Sequence, residues 1–261
     1  MNTSRYKISF IIIISLFLLT AIMSCKKEEV DDTPSNPVGK IEKLSVVNLE
    51  ITEPSGLSFG PDSNTLLIVS DNTNKAYEIT LQGDIIRELA YVGNDLEGIV
   101  YNADAGIVAI AEERKKEIVF LDYENGNELE RFQINTGGST QNKGLEGLSY
   151  NPNNSAYYIV NEDLPGELIV WNRQFDIISK KELHFAGDYS AIFVDTQNSL
   201  LWIVSDESKA LFQCDYNAKV LKEYSLPKDK FEGIAVDAEN KLIYLVNDNT
   251  AELYIYKIIE K

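Results

Sequence analysis

Residues 97–113 read EGIVYNADAGIVAIAEE. Glu97 and Gly98 open an apolar run, residues 102–106 are rich in turn formers, and a second apolar run closes on Glu113. Two short β-type runs joined by a polar turn predict a hairpin. The pattern recurs five times. Its start is a short turn of Glu or Ser, then Gly or Ala, before the apolar run: Ser55-Gly56-Leu57, Glu97-Gly98-Ile99, Glu146-Gly147-Leu148, Ser190-Ala191-Ile192 and Glu232-Gly233-Ile234. Its end is an acid sixteen positions later: Asp71, Glu113, Glu162, Asp206 and Asp248. The starts lie 42, 49, 44 and 42 residues apart. A strand-built period in the forties marks a propeller blade.

Each repeat continues in the same order. In the second, residues 98–101, 107–111, 117–122 and 128–134 read as four strands. The inner runs are almost wholly apolar and the outer one alternates. A blade requires this, because inner strands meet neighbouring blades on both faces while the outer strand meets water. The fifth repeat stops after its third strand, near Ile258, whereas residues 41–51 (IEKLSVVNLEI) form a strand pattern before the first repeat. The economical reading is an all-β, five-bladed propeller in which the N-terminal strand completes the last blade and closes the ring.

The spacing also places side chains. The two strands of each hairpin are antiparallel, so the start of one and the end of the other meet at the same edge. The first strand is innermost, so this edge surrounds the central channel. Ser55, Glu97, Glu146, Ser190 and Glu232 then ring one mouth, with Asp71, Glu113, Glu162, Asp206 and Asp248 just outside. Eight carboxylates at one opening repel unless something neutralises them. An all-oxygen set suits a hard cation, Ca²⁺ above Mg²⁺. The plainer alternative has the acids capping strand ends in solvent and the glycine serving a tight turn. Glutamate is a poor turn former, so its recurrence at Glu97, Glu146 and Glu232 is not explained locally.

The N-terminus reads as an address. Arg5 and Lys7 precede a mostly apolar run, residues 8–23, too short to span a bilayer, and Ile22-Met23-Ser24-Cys25 has the form of a lipobox. Residues 1–24 are then a lipoprotein signal peptide, Cys25 the lipidated first residue, residues 25–40 a flexible tether, and residues 41–261 the propeller. The expected location is the outer membrane, at the periplasmic face or the cell surface, with the lipid as membrane partner.

The formal charge of the chain is −17, and loss of Arg5 and Lys7 takes it to −19. Such a chain repels nucleic acid phosphates and attracts cations. Cys214 is the only cysteine beyond Cys25, so the domain has no internal disulfide, and its LFQCDY setting is that of a strand filler. His184 is the only histidine and lies on an outer-strand pattern, which argues against Ser-His-Asp catalysis and against a histidine-based zinc site. Arg114-Lys115-Lys116 and Lys209 follow acidic positions and read mainly as solvated charge, although they lie within reach of the mouth. Trp202 reads as core. Trp171, Tyr189 and Phe231 fit either packing or the mouth.

LEGIVY at 96–101, GLEGLSY at 144–150, SDESKAL at 205–211 and FEGIAVD at 231–237, with the lipoprotein-type N-terminus, make the chain resemble the SdiA-regulated family of bacterial β-propellers over residues 41–257. The resemblance implies five blades, a distant relation to NHL-repeat and phytase-like propellers, and a bound calcium ion. The matching motif acids are Glu97, Glu146 and Glu232. Ser55 and Ser190 lack the carboxylate, which implies an asymmetric site on one side of the channel. No enzymatic activity comes with the resemblance. The expected function is that of a lipid-anchored, extracytoplasmic, calcium-binding propeller that takes a small ligand or protein partner at its acidic mouth. The alternative is a calcium-dependent hydrolase, phytase-like or lactonase-like, using the same acids with a neighbouring carboxylate as base. A structural scaffold without metal is a third reading.

Overall fold

The computed structural model describes residues 37–134, 144–162, 166–172, 174 and 176–260. The segment expected to be a signal peptide, Cys25 and most of the expected tether lie outside the described residues. Among the described residues no helix is long and apolar enough to cross a membrane.

Among the described residues twenty strands form five antiparallel sheets of four. The first blade is β2 (Pro54–Phe59), β3 (Thr65–Ser70), β4 (Lys75–Thr80) and β5 (Ile85–Val92). The second is β6 (Leu96–Asn102), β7 (Ile107–Glu112), β8 (Glu117–Asp122) and β9 (Glu128–Gln133). The third is β10 (Leu145–Asn151), β11 (Ala156–Asn161), β12 (Gly166–Asn172) and β13 (Ile177–Leu183). The fourth is β14 (Ala191–Asp195), β15 (Leu200–Ser205), β16 (Ala210–Cys214) and β17 (Val220–Ser225). The fifth runs β18 (Phe231–Asp237), β19 (Leu242–Asn247), β20 (Glu252–Ile259) and then β1 (Lys40–Asn48) from the other end of the chain. The ring is a five-bladed propeller closed by its N-terminal strand, as the truncated fifth repeat predicts.

The core lies between the blades, and period-two alternation builds it. On β3, Leu66 and Ile68 face the fifth blade, packing with Ala235, Tyr244 and Val246. Leu67 and Val69, on the opposite face, pack with Leu96, Ile99 and Ile110 of the second blade. Each of the other three junctions has a cluster of its own. Inner strands buried on both faces need unbroken apolar runs, and TLLIVS, IVAIAE, AYYIVN, LLWIVS and LIYLVN supply them. Trp202 and Trp171 are both buried in these clusters. Cys214 is fully buried, and burial pushes its thiol up to about 12, so it is an inert filler. His184 is exposed, beside the exposed Glu182.

The repeat glycines sit inside the innermost strands, not in turns, and they serve close approach. A Cβ on Gly98 would lie 2.5 Å from the Glu146 carbonyl oxygen, and one on Gly56 would lie 2.5 Å from that of Glu97. Gly147 and Gly233 face the backbones of β14 and β2 in the same way. With Leu57, Ile99, Leu148, Ile192 and Ile234 they narrow the middle of the channel to a gap of about 10 Å³. Gly98→Ala should therefore cost about 1–3 kcal/mol, because the obstacle is backbone and cannot rotate away. A urea midpoint equal to that of the wild type would refute this role for the glycine.

Candidate cation site at the channel mouth

The two halves of each repeat meet through the backbone. The N–H of the closing acid bonds the carbonyl of the residue two positions before the repeat start: Asp71 to Glu53 (3.3 Å), Glu113 to Asp95 (2.9 Å), Glu162 to Gly144 (3.1 Å) and Asp248 to Lys230 (2.9 Å). The fourth blade uses a side chain instead, Asp206 N–H donating to Asp188 Oδ2 at 3.2 Å. Pairing registers slip just after Pro54, Leu96, Leu145 and Phe231, so Ser55, Glu97, Glu146 and Glu232 lie at bulges. A bulge re-aims side chains at a strand end.

The result is an acidic cavity of 230 Å³. Glu97, Glu146, Ser190 and Glu232 line it with Asp71, Glu113, Glu162, Asp206 and Asp248. Ser55 does not line it; its hydroxyl bonds the Glu53 carbonyl instead. Strand alternation decides which acids take part. Glu112, adjacent to Glu113, points the other way and is fully buried among its own donors: Tyr91 Oη at 2.6 Å, Lys115 Nζ at 2.7 Å and Asn94 N at 2.9 Å.

Two groups of acids bring ligand atoms within 4.8 Å of one another: Asp71, Asp95 and Glu97, and Glu113, Glu146 and Glu162. Each spans a junction, joining the acid that closes one blade's second strand to the start of the next blade. Glu232 is in neither group, and Lys230 Nζ lies 3.2 Å from it and 2.9 Å from Asp206.

Crowding and burial show in the protonation behaviour. Burial, then Glu232 and Asp71, raise Glu97 well above the usual range. Burial, then Glu97 and Glu113, do the same to Glu146. Burial pushes Glu232 up to about 8, with Asp248 adding to it and Lys230 opposing. Glu113 rises to about 7 through burial and Asp95, and Asp71 to about 6 through burial and Glu53. Asp188 rises to about 7, by burial first and then by its bond to Asp206. Burial works against the charge of Asp206, but Asp188 and Lys230 outweigh it and hold that carboxyl below its usual range.

Reading by repeat starts misses Asp188 and Lys230, which line the cavity, and Asp95, which groups with Asp71 and Glu97. They occupy one structural place, two residues before the start, where the repeats carry Glu53, Asp95, Gly144, Asp188 and Lys230. Glu53, Asp95 and Lys230 there all take positive φ (45°, 60° and 62°) just ahead of the first strand, so the place is marked by its backbone and not by strand alternation. Of the basic run, Arg114 reaches the rim, with Nε 2.8 Å from Asp95 Oδ2. Lys209 lies 3.5 Å from Asp229, away from the cavity. Tyr189 and Phe231 are buried packing residues: the Tyr189 hydroxyl accepts from Phe185 and Ala186 N–H, and Phe231 meets the edge of Tyr254.

The donor set is carboxylate oxygen throughout, which fits a hard divalent cation. Two local facts agree. Asp71 Oδ1 is buried with no hydrogen-bond partner. Glu146 is 9 % exposed, and no donor among the described residues reaches its carboxyl.

A sequence model of the SdiA-regulated family matches residues 40–256. Among solved structures, the Myxococcus xanthus glutaminyl cyclase is similar with a TM-score of 0.64 at 13 % identity, over 86 % of this chain and all of that one. A streptogramin B lyase matches with a TM-score of 0.50 at 16 % identity, over 85 % of this chain and 74 % of that one. Virginiamycin B lyase from Staphylococcus aureus matches with a TM-score of 0.50 at 17 % identity, over 84 % and 74 %. At these identities the structural likenesses carry the fold alone.

Proposed function

The chain belongs to the SdiA-regulated family, and from that premise we propose that it is a lipid-anchored, extracytoplasmic propeller whose acidic mouth holds Ca²⁺ and there binds a small ligand or protein partner. The observation that carries this reading is Glu146, a carboxyl buried among other carboxyls without a donor. Burying a charge is costly unless a counter-charge joins it. A cation removes that cost, while protons alone leave the group neutral and idle. Glu97, Glu146 and Glu232 are the family-motif acids, and Asp71, Glu113, Glu162, Asp206 and Asp248 are the surrounding rim. Ca²⁺ takes roughly six to eight oxygens. Positions not filled by carboxylate face the open mouth, where an anionic or carbonyl-bearing ligand can complete the shell. The anchor at Cys25 and the outer-membrane location rest on the sequence of residues 1–25.

The test is thermal melting of chelated protein with Ca²⁺ added. At about a hundred times the dissociation constant, binding adds about 2.7 kcal/mol, or roughly 5–10 °C for a domain of this size. An unchanged melting temperature rejects the metal reading.

A hydrolytic reading has one observation in its favour. Asp188 and Asp206 share a contact yet are pushed apart, one up to about 7 and one down, beside Lys230. Carboxyls separated in this way can serve as acid and base. Turnover of a phosphate ester or lactone that is lost in Asp188→Asn would move the assignment from binder to enzyme.

A further inference from the structure

We infer that the anchored propeller meets the membrane with the end opposite its acidic mouth, so that the mouth opens away from the lipid. This rests on the lipid anchor proposed above. It adds which face the membrane takes and from which side the mouth is filled.

Strand direction sets the two ends. In an antiparallel blade successive turns alternate between them. The acids Asp71, Glu113, Glu162, Asp206 and Asp248 each follow a second strand. Turns between second and third strands therefore share the mouth's end, and turns between third and fourth strands lie at the other. In the fifth blade the third strand is β20 and the fourth is β1. Lys40 pairs with Ile259, and Asn48 pairs with Glu252. The chain thus enters β1 at the end away from the mouth and reaches the mouth's end only at Asn48.

This entry point is pinned. In the other blades the turn between third and fourth strands rests on the outer strand of the preceding blade. Arg87 of β5 donates to the Tyr123 and Glu124 carbonyls, each at 2.8 Å, and Lys181 of β13 donates to that of Asn217. A Cβ on Gly83 would lie 3.1 Å from Val47 of β1. Residues 37–39 take the same place in the fifth blade. Gly39 N–H donates to the Glu223 carbonyl at 2.7 Å, Glu223 N–H donates to that of Pro37 at 3.0 Å, and Val38 forms a parallel bridge with Glu223. A Cβ on Gly39 would run into the Tyr224 ring. The point of entry is part of the ring and not a fraying end.

Length and charge then choose the face. Pro37 lies twelve positions after Cys25, a reach of at most about 43 Å. The nine residues of β1 span about 27 Å. Laying the mouth on the membrane would take most of that reach simply to pass the blade. The mouth is lined by nine acids and one lysine, and anionic headgroups repel it. Lysines gather at the entry end instead. Lys40 stands opposite Ile259, and Lys241 Nζ lies 2.6 Å from Glu260 Oε2. Lys241, and after it Lys222, hold the Glu260 carboxyl below its usual range. A membrane on this side leaves the mouth to take its ligand from the aqueous compartment and not from the bilayer.

The test is fluorescence quenching of the full lipidated chain in vesicles of phosphatidylethanolamine and phosphatidylglycerol that carry a headgroup quencher. One label goes on Asn217→Cys, in a turn at the entry end, and another on Asn249→Cys, in a turn at the mouth's end. Both positions are exposed, whereas the native Cys214 is fully buried and does not compete for label. The Asn217 label should be quenched several-fold more than the Asn249 label. Gln197→Cys, exposed in an inner turn at the entry end, should follow Asn217. Melting curves matching the wild type show that each labelled ring is intact, and flotation shows that the chain is on the vesicle. Equal quenching at the two ends, or stronger quenching at Asn249, in a chain that floats overturns the orientation and leaves the anchor standing. A chain that floats no better than Cys25→Ser rejects the anchor, and the orientation with it.

Discussion

Glu146→Gln should raise the melting temperature of the chelated protein at pH 8 and abolish the rise that Ca²⁺ gives the wild type. The two effects have opposite signs because one carboxyl causes both. Its folded-state value lies well above its value in an unfolded chain, chiefly through burial and then through Glu97 and Glu113. The native state therefore binds more protons than the unfolded state in between, and stability falls as pH rises through that interval. Asp71 at about 6, Glu113 at about 7 and Glu232 at about 8 act in the same direction, so the chelated wild type should lose stability between roughly pH 4.5 and 8. Glutamine keeps the shape and cannot ionise, so it removes that loss at one position. A gain of about 1–2 kcal/mol, roughly 3–6 °C, is expected. With Ca²⁺ the order reverses, because the wild type then has a counter-ion and the variant has lost a ligand. A pH series separates this from improved packing: saturating Ca²⁺ should flatten the wild-type profile, and the variant profile should not respond. A chelated wild type that grows more stable from pH 5.5 to 8 would contradict the account.

Much of the mouth was legible in the sequence because the geometry is arithmetic. A sixteen-residue hairpin with antiparallel strands must return to its starting edge, and nine of the ten residues named by that rule line the cavity. The exception, Ser55, bonds backward to its own loop. Less legible was what each residue does there. The glycines suggested turns, but they are close-approach positions, a property of neighbouring innermost strands that no single repeat displays. Lys230 stands in a charged stretch (PKDKFEG) with nothing in the repeat to single it out, and its contact is with Asp206, which a different blade supplies. The position two before each repeat start carries an acid, a glycine or a lysine, so a search for repeated chemistry passes over it. It is visible only once the backbone bonds show that the place, not the residue type, is what recurs. Fold thus follows from the period of the pattern, whereas the electrostatics of the mouth follow from departures from it.

Deletion of residues 1–48 should abolish cooperative folding, and moving β1 to the other end of the chain should restore it. Residues 40–43 and 45–48 of β1 pair with residues 252–259 of β20, and without them β20 becomes an open edge. Val47 packs against the cluster between the fifth and first blades and Ile41 against the one between the fourth and fifth. Loss of β1 therefore uncovers two of the five junctions at once, beyond the backbone bonds it breaks. A ring differs from a stack in this respect. Each blade is held from both sides, and removing one strand of the closing sheet lets neighbours separate instead of merely fraying an end. The expected product shows no sharp thermal transition and aggregates through β20. The alternative is that the N-terminal strand is a dispensable cover, and a permuted chain distinguishes the two. Lys40 lies opposite Ile259, so a short linker can join Lys261 to Lys40 and make β20 and β1 an ordinary hairpin, with the new chain beginning at Glu50. That chain keeps every β1 side chain in register and loses only the link from β1 to β2 and the residues before Lys40. If closure is what matters, the permuted protein melts cooperatively within a few degrees of the wild type. A truncated chain that melts as sharply as the intact one would show that four blades and a three-stranded fifth are sufficient, and that the closing strand contributes little.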